Sequence, residues 1–217
     1  MKAIFFGSIG TIIETSEYQR RSFNLAFKKF DIDWYWNTAT YCHLLKNPGG
    51  IKRINNYSNG KISEEIITKI HKQKEIYFHE FLSKKTIKPR KHVLQIINYA
   101  IKNKIKLGFI TTTSFNNVKY IKEILSSTIN FKNFSCITSS EDIKSPKPDT
   151  EIYQFALKKV GLQKENVIAI EDSKVNFECA INAGIKCLFY PGEFSLVSKS
   201  DKVNYKIYEK IKKFVRK

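Results

Sequence analysis

The chain has 217 residues, 42% of them hydrophobic, and a formal net charge of +18. That length holds one or two domains with a real core, and that composition excludes a disordered chain. No apolar run approaches the roughly 20 residues that span a bilayer, so no membrane partner is expected. Lys and Arg are spread along the whole chain, with no basic arm, helix-turn-helix or zinc-finger pattern, so nucleic acid is not the expected partner either.

The first predicted element is a strand over residues 2–6, KAIFF. A lone Lys leading directly into a strand lacks the layout of a secretory signal, which implies a cytoplasmic protein. From about residue 16 to residue 85 the pattern is helical, with Phe23, Ala26, Phe27 and Phe30 on one face and then Ile66, Ile67, Ile70 and Phe78 on another. Beyond it, short apolar runs at 106–111, 135–138, 166–171 and 186–190 read as buried strands. They alternate with amphipathic helices at 90–104, 114–125, 149–160, 174–183 and 204–215. Short strands alternating with helices imply βαβ units and a doubly wound parallel sheet. The expected organisation is therefore an α/β core, 1–14 with 86–217, interrupted after its first strand by a helical cap, 15–85. An insert at that point lies at the carboxyl edge of the sheet, where open α/β sheets bind ligands.

Cys42, Cys136, Cys179 and Cys187 form no CxxC pair, so they read as packed thiols rather than a zinc site or disulfide framework. His43, His71, His79 and His92 have no metal-ligand spacing. Trp34 and Trp36, in DIDWYW, read as packing between helices.

Five stretches carry chemistry. The first strand runs into GSIGT, residues 7–11. A second strand ends in the hydroxyl-rich ITTTS, 110–114, where N–H groups at a strand-to-helix turn can hold a phosphate. A proline turn, KSPKPD, spans 144–149. An acidic pair, EDS, follows a buried strand at 171–173. In the helical region lies LLKNPGGIKRI, 44–54, whose Arg53 has the fork geometry that suits phosphate.

In this order the stretches resemble the haloacid dehalogenase superfamily, in its branch of CbbY and β-phosphoglucomutase-like proteins with a Rossmann-like core and helical cap. The likeness covers nearly the whole chain. It implies a phosphatase that forms and hydrolyses an aspartyl-phosphate, with Mg²⁺ held near the acidic pair. Against the family's DxDGT, Gly10 and Thr11 match. Gly7 stands in place of the nucleophilic aspartate, and Ile9 in place of the acid/base aspartate. Gln19 stands in place of a family histidine. Ser145 occupies the position of a lysine before PxPD, leaving Lys144 or Lys147 to reach the phosphate. Arg53 aligns with an arginine of the substrate loop, where Ile51 replaces a lysine. Thr111, Thr112, Lys144, Lys147 and Arg53 are thus the expected phosphate and substrate residues, and Glu171 and Asp172 a residual, weak Mg²⁺ site helped by the Ile9 carbonyl.

Without its two acids the reaction loses groups that act as a unit, which typically costs on the order of 10⁴–10⁶ in rate. Ser8 and Glu14 are the local candidates to replace them. The expected function is a pseudoenzyme-like phosphatase relative that binds a phosphorylated sugar or similar anion between core and cap, with weak or absent hydrolysis. An active hydrolase with an altered mechanism and a non-catalytic interaction protein remain open. So do simpler roles: Arg53 as a solvated residue, Thr111 as a helix N-cap, and Glu171 and Asp172 as caps of the next helix. The residues also predict that Gly7→Asp with Ile9→Asp and Ser145→Lys restores Mg²⁺-dependent activity. They identify neither the ligand nor the oligomeric state.

Overall fold

The computed structural model describes residues 1–7, 9–47, 49–84 and 86–215. The chain divides into two compact units: Met1–Glu14 together with the chain from Lys88 onward, and Thr15–Ile87.

The first unit is built on five parallel strands: β1 (Ala3–Phe6), β2 (Lys106–Phe109), β3 (Phe134–Ile137), β4 (Val167–Glu171) and β5 (Lys186–Phe189). Their order across the sheet is β3-β2-β1-β4-β5. The central strand, AIFF, is wholly buried. Both its edges are paired, Ala3 opposite Lys106 on one side and Val167 on the other. Both faces of the sheet are covered, which is why the strands read as continuous apolar runs rather than alternating ones. The covering helices are α6 (Val93–Lys102), α7 (Phe115–Ile124), α8 (Glu151–Val160), α9 (Lys174–Asn182) and α10 (Ile207–Val215). On one face Phe5, Ile152, Tyr153, Ala156, Ala169 and Ala180 pack together. The chain leaves β1 toward β2 and β3, then returns to β4 and β5 on the other side. The carboxyl ends of β1 and β4 therefore flank the point where strand order reverses, the usual ligand crevice of such sheets. A single turn, α1 (Ile9–Ile12), follows β1 directly.

The second unit consists of α2 (Ser16–Lys29), α3 (Thr38–Leu44), α4 (Gly50–Ser58) and α5 (Glu64–Ser83). Its centre is aromatic. Trp36 lies 4.8 Å from Phe23 and 4.7 Å from Phe27 between ring centroids, and Trp34 lies 5.0 Å from Tyr57. The Trp36 carbonyl accepts bonds from Arg20 Nη1 (2.8 Å) and Asn24 Nδ2 (3.0 Å), which anchors the DIDWYW segment to α2. Both tryptophans are packing residues. Cys136, Cys179 and Cys187 are buried free thiols, and Cys42 is a half-buried one. No helix among the described residues is long and apolar enough to cross a membrane.

Candidate functional site

The carboxyl end of β1 is held on both sides by its neighbours. Gly7 N–H donates to the Ile170 carbonyl (2.9 Å), and Ile110 N–H donates to the Phe6 carbonyl (2.7 Å). Into this edge projects Lys147, from the proline turn before α8. Its side chain is only 2% exposed, and its ammonium donates to the Gly7 carbonyl, the Ile110 carbonyl (3.1 Å) and Glu171 Oε1 (2.5 Å). An ammonium has three protons, and these three acceptors use them all. Tyr153, one turn into α8, donates its hydroxyl to the same Glu171 Oε1. The Glu171 side chain is 0% exposed, and its Oε2 has no partner among the described residues. Burial pushes the Glu171 carboxyl above the usual range, against the opposing pull of Lys147. It also pushes the Tyr153 hydroxyl well above its ordinary value.

The absent side chain at position 7 shapes this cluster. A Cβ on Gly7 would lie 2.0 Å from both the carboxyl carbon and Oε1 of Glu171. The Glu171 carboxylate thus occupies the volume that any side chain at position 7 needs. Nearby, a Cβ on Gly10 would lie 2.0 Å from Asp172 Oδ2, so that carboxylate rests against the Gly10 main chain.

The turn after β2 is a hydroxyl network. Thr138 Oγ1 accepts from Thr111 N–H (2.9 Å) and donates to the Thr111 carbonyl (2.9 Å). Thr111 Oγ1 accepts from Thr113 N–H (3.2 Å). Thr111 is buried, and Thr112 beside it is half-buried. Ser114 Oγ, not Thr111, accepts from Asn117 N–H and caps α7. Likewise Ser173 caps α9, so the capping reading of Glu171 and Asp172 is replaced as well.

Arg90, which sequence reasoning passed over, ties the site's margin together. Its guanidinium donates to the carbonyls of Gly10 (2.8 Å), Tyr190 (3.1 Å) and Pro191 (2.5 Å), and lies 3.8 Å from the Tyr190 ring centroid. Its sequence signal is an arginine at the start of the helix predicted over 90–104.

Several expectations need correction. Of the two lysines expected to reach the site, Lys147 is the one whose side chain meets the end of β1, from the turn that carries Ser145 and Pro146. Lys144 is exposed, and its N–H donates to the Glu151 carboxylate (3.1 and 3.2 Å). Glu14 is engaged by the Glu193 N–H (2.8 Å) rather than turned toward position 7. Ser8 lies outside the described residues. Arg53 is not a solvated residue. It is buried in the second unit, donating to the Leu44 (3.1 Å) and Asn47 (3.2 Å) carbonyls over the Tyr41 and Phe23 rings. In the same unit Lys74 is 4% exposed, with its ammonium over Phe23 and Phe78. Burial pushes Lys74 down to about 7. His71 is pushed down to about 4 by burial and by the positive charges of Lys74 and Arg53.

The model of the haloacid dehalogenase-like hydrolases matches residues 10–190. The chain belongs to that family. Among the haloacid dehalogenase-like hydrolases it is similar to the Protein CbbY of Cereibacter sphaeroides, 30% identical over 198 residues, which cover 90% of this chain and 86% of that one. It is also 28% identical over 201 residues to a CBBY-like protein of Arabidopsis thaliana, covering 86% of this chain and 62% of the relative. A crystal structure of CbbY from Rhodobacter sphaeroides in complex with phosphate matches with a TM-score of 0.85 at 28% identity, covering 94% of this chain and 92% of that one. A mutant of that protein in complex with xylulose-(1,5)bisphosphate matches to the same extent.

Haloacid dehalogenase-like hydrolases imply Mg²⁺ at the acidic pair, and the residues present fit it poorly. Mg²⁺ takes six oxygens in near-octahedral geometry. Here position 7 offers no carboxylate, and the Ile9 carbonyl already accepts from Ile13 N–H (2.9 Å). Glu171 Oε1 already accepts from Lys147 and Tyr153. Among the described residues no three His, Cys, Asp or Glu side chains are grouped to hold a metal.

Proposed function

We propose that this haloacid dehalogenase-like chain binds a phosphorylated sugar or similar small anion and hydrolyses it weakly or not at all. The observation that carries this reading is the pairing of two features at one sheet edge. Position 7 has no nucleophile and its volume is filled by Glu171. The hydroxyl- and N–H-rich turn from Thr111 to Asn117 is retained beside it. The aspartyl-phosphate route implied by the family resemblance needs a carboxylate with access to substrate. The Glu171 carboxylate is fully buried and bonded to an ammonium, so it cannot take that role in place. Thr111 and Thr112, with the N-terminus of α7, supply neutral donors and a favourable dipole for an anion. Binding of phosphate and of xylulose-(1,5)bisphosphate by the CbbY of Rhodobacter sphaeroides supports the choice of ligand class. In the helical unit, Arg53 is the proposed substrate residue, held over the Tyr41 and Phe23 rings by the Leu44 and Asn47 carbonyls.

Calorimetric titration with sugar phosphates and bisphosphates tests the binding half. Dissociation constants of about 1 mM or tighter are expected, each corresponding to about 4 kcal/mol or more. Absence of any heat up to several times that concentration would sink it. The chemical half is tested by turnover of an aryl phosphate with Mg²⁺, Mn²⁺ or no metal. The wild-type rate is expected to match that of Asp172→Asn. A wild-type rate well above that control would make the chain an active hydrolase with an altered mechanism.

A further inference from the structure

Lys147 and Glu171 together do something that neither the loss of the nucleophile nor the anion-binding reading requires. We infer that the Lys147 ammonium replaces the divalent cation as the counter-charge at this sheet edge, so that the Glu171–Lys147 pair excludes metal from the position beside β1.

The argument rests on donors and charge. Glu171 Oε1 lies 2.5 Å from Lys147 Nζ and also accepts the Tyr153 hydroxyl. Lys147 spends its other protons on the main-chain carbonyls of Gly7 and Ile110, at the ends of β1 and β2. The ammonium is thus fixed by three acceptors and cannot swing aside without leaving buried carbonyls unpaired, which costs about 1–3 kcal/mol for each. A second cation on the remaining Glu171 oxygen would share one carboxylate with this ammonium, deep in the protein. There, like charges repel far more strongly than in water. The carboxylate is also held where a side chain at position 7 would stand. The two features are therefore coupled: the glycine makes room for the carboxylate, and the lysine neutralises it. Asp172 adds one further carboxylate at this edge, and one carboxylate is too few for a six-oxygen cation.

This inference deepens the proposed anion site, and it rests on that reading only in placing the metal question at a phosphate-binding edge. Its test uses Mn²⁺ alone, followed by the electron paramagnetic resonance of the free ion. Wild-type protein and Asp172→Asn are expected to bind Mn²⁺ equally, with no site tighter than about 1 mM. A stoichiometric sub-millimolar site in the wild type that Asp172→Asn weakens by about tenfold or more would overturn it. Removing the ammonium in Lys147→Met should raise Mn²⁺ affinity by about tenfold or more, because Glu171 then lacks its counter-charge. A folded Lys147→Met with wild-type Mn²⁺ affinity also overturns the role given to Lys147. If that variant does not fold, the comparison of wild type with Asp172→Asn decides the matter alone. A parallel titration with inorganic phosphate in EDTA separates the two readings. Absence of phosphate binding counts against the proposed function, whereas the Mn²⁺ comparison decides metal exclusion whether or not phosphate binds.

Discussion

Gly7 and Glu171 lie far apart in sequence and compete for one volume. A methyl group on Gly7 would fall 2.0 Å from the Glu171 carboxyl carbon, well inside any real contact distance. Glu171 is locked by Lys147 and Tyr153 and cannot yield cheaply. Gly7→Ala is therefore expected to destabilise the protein by about 3 kcal/mol through overpacking. In a Glu171→Ala background the same change should cost at least about 1 kcal/mol less. Urea denaturation of the four proteins measures this, and strictly additive losses would show that the two positions do not share space. The same overlap revises the reactivation experiment. Gly7→Asp needs a shortened residue 171, and it needs no lysine at 145, because Lys147 is already present. How much of this was legible in the sequence follows from its physics. The absence of an acid at position 7 is visible in the letters GSIGT. What fills the gap is not, because it depends on a side chain reaching across from β4. Which lysine enters the site was equally hidden, since it turns on the path of the chain through Ser145 and Pro146.

The strands and helices themselves were largely legible. Five apolar runs became β1 to β5, because a parallel sheet covered on both faces leaves an unmistakable run of buried residues. Bounds moved by a few residues: α6 begins at Val93 rather than residue 90, and α10 at Ile207 rather than 204. Helix α5 shows what periodicity conceals. Ser63 caps it, accepting from Ile66 N–H, and Glu64 and Glu65 suit its N-terminal dipole. Its buried stripe, however, includes Lys74 among Ile67, Ile70, Phe78 and Leu82. An unfolded lysine holds its proton to about 10.5, whereas folded Lys74 releases it at about 7. Between those values the unfolded chain binds the extra proton, so the stability contributed here is complete above about 10.5 and is lost as the pH falls toward 7. His71 adds a second loss as the pH falls from 6.5 toward 4. Urea melts at about pH 7 and about pH 9.5 are expected to show the wild type gaining stability relative to Lys74→Met at the higher pH. An identical pH response in both proteins would remove Lys74 from the account.

At the scale of the whole molecule, the charge of +18 acts on everything else. Self-repulsion of that size opposes compactness and is screened by salt, over about 10 Å at 0.1 M. The melting temperature is therefore expected to rise as NaCl increases from about 0.01 to 0.3 M, and a flat or falling response would mean that the positive charges are already neutralised locally. The order of the sheet has a further consequence, for assembly in time. Strand β1 leaves the ribosome before the four other strands of the sheet, yet it lies at the sheet's centre. Its partners, opposite Ala3, are Lys106 and Val167. The central strand must wait, unpaired and apolar, while Thr15–Ile87 is made. That helical unit, in which α2 packs against α5, is fully synthesised before β2 emerges. Nascent chains of this protein accordingly carry an AIFF segment that is unpaired until β2 is made and paired on one edge alone until β4 is made, which makes the early strand the element most in need of a chaperone.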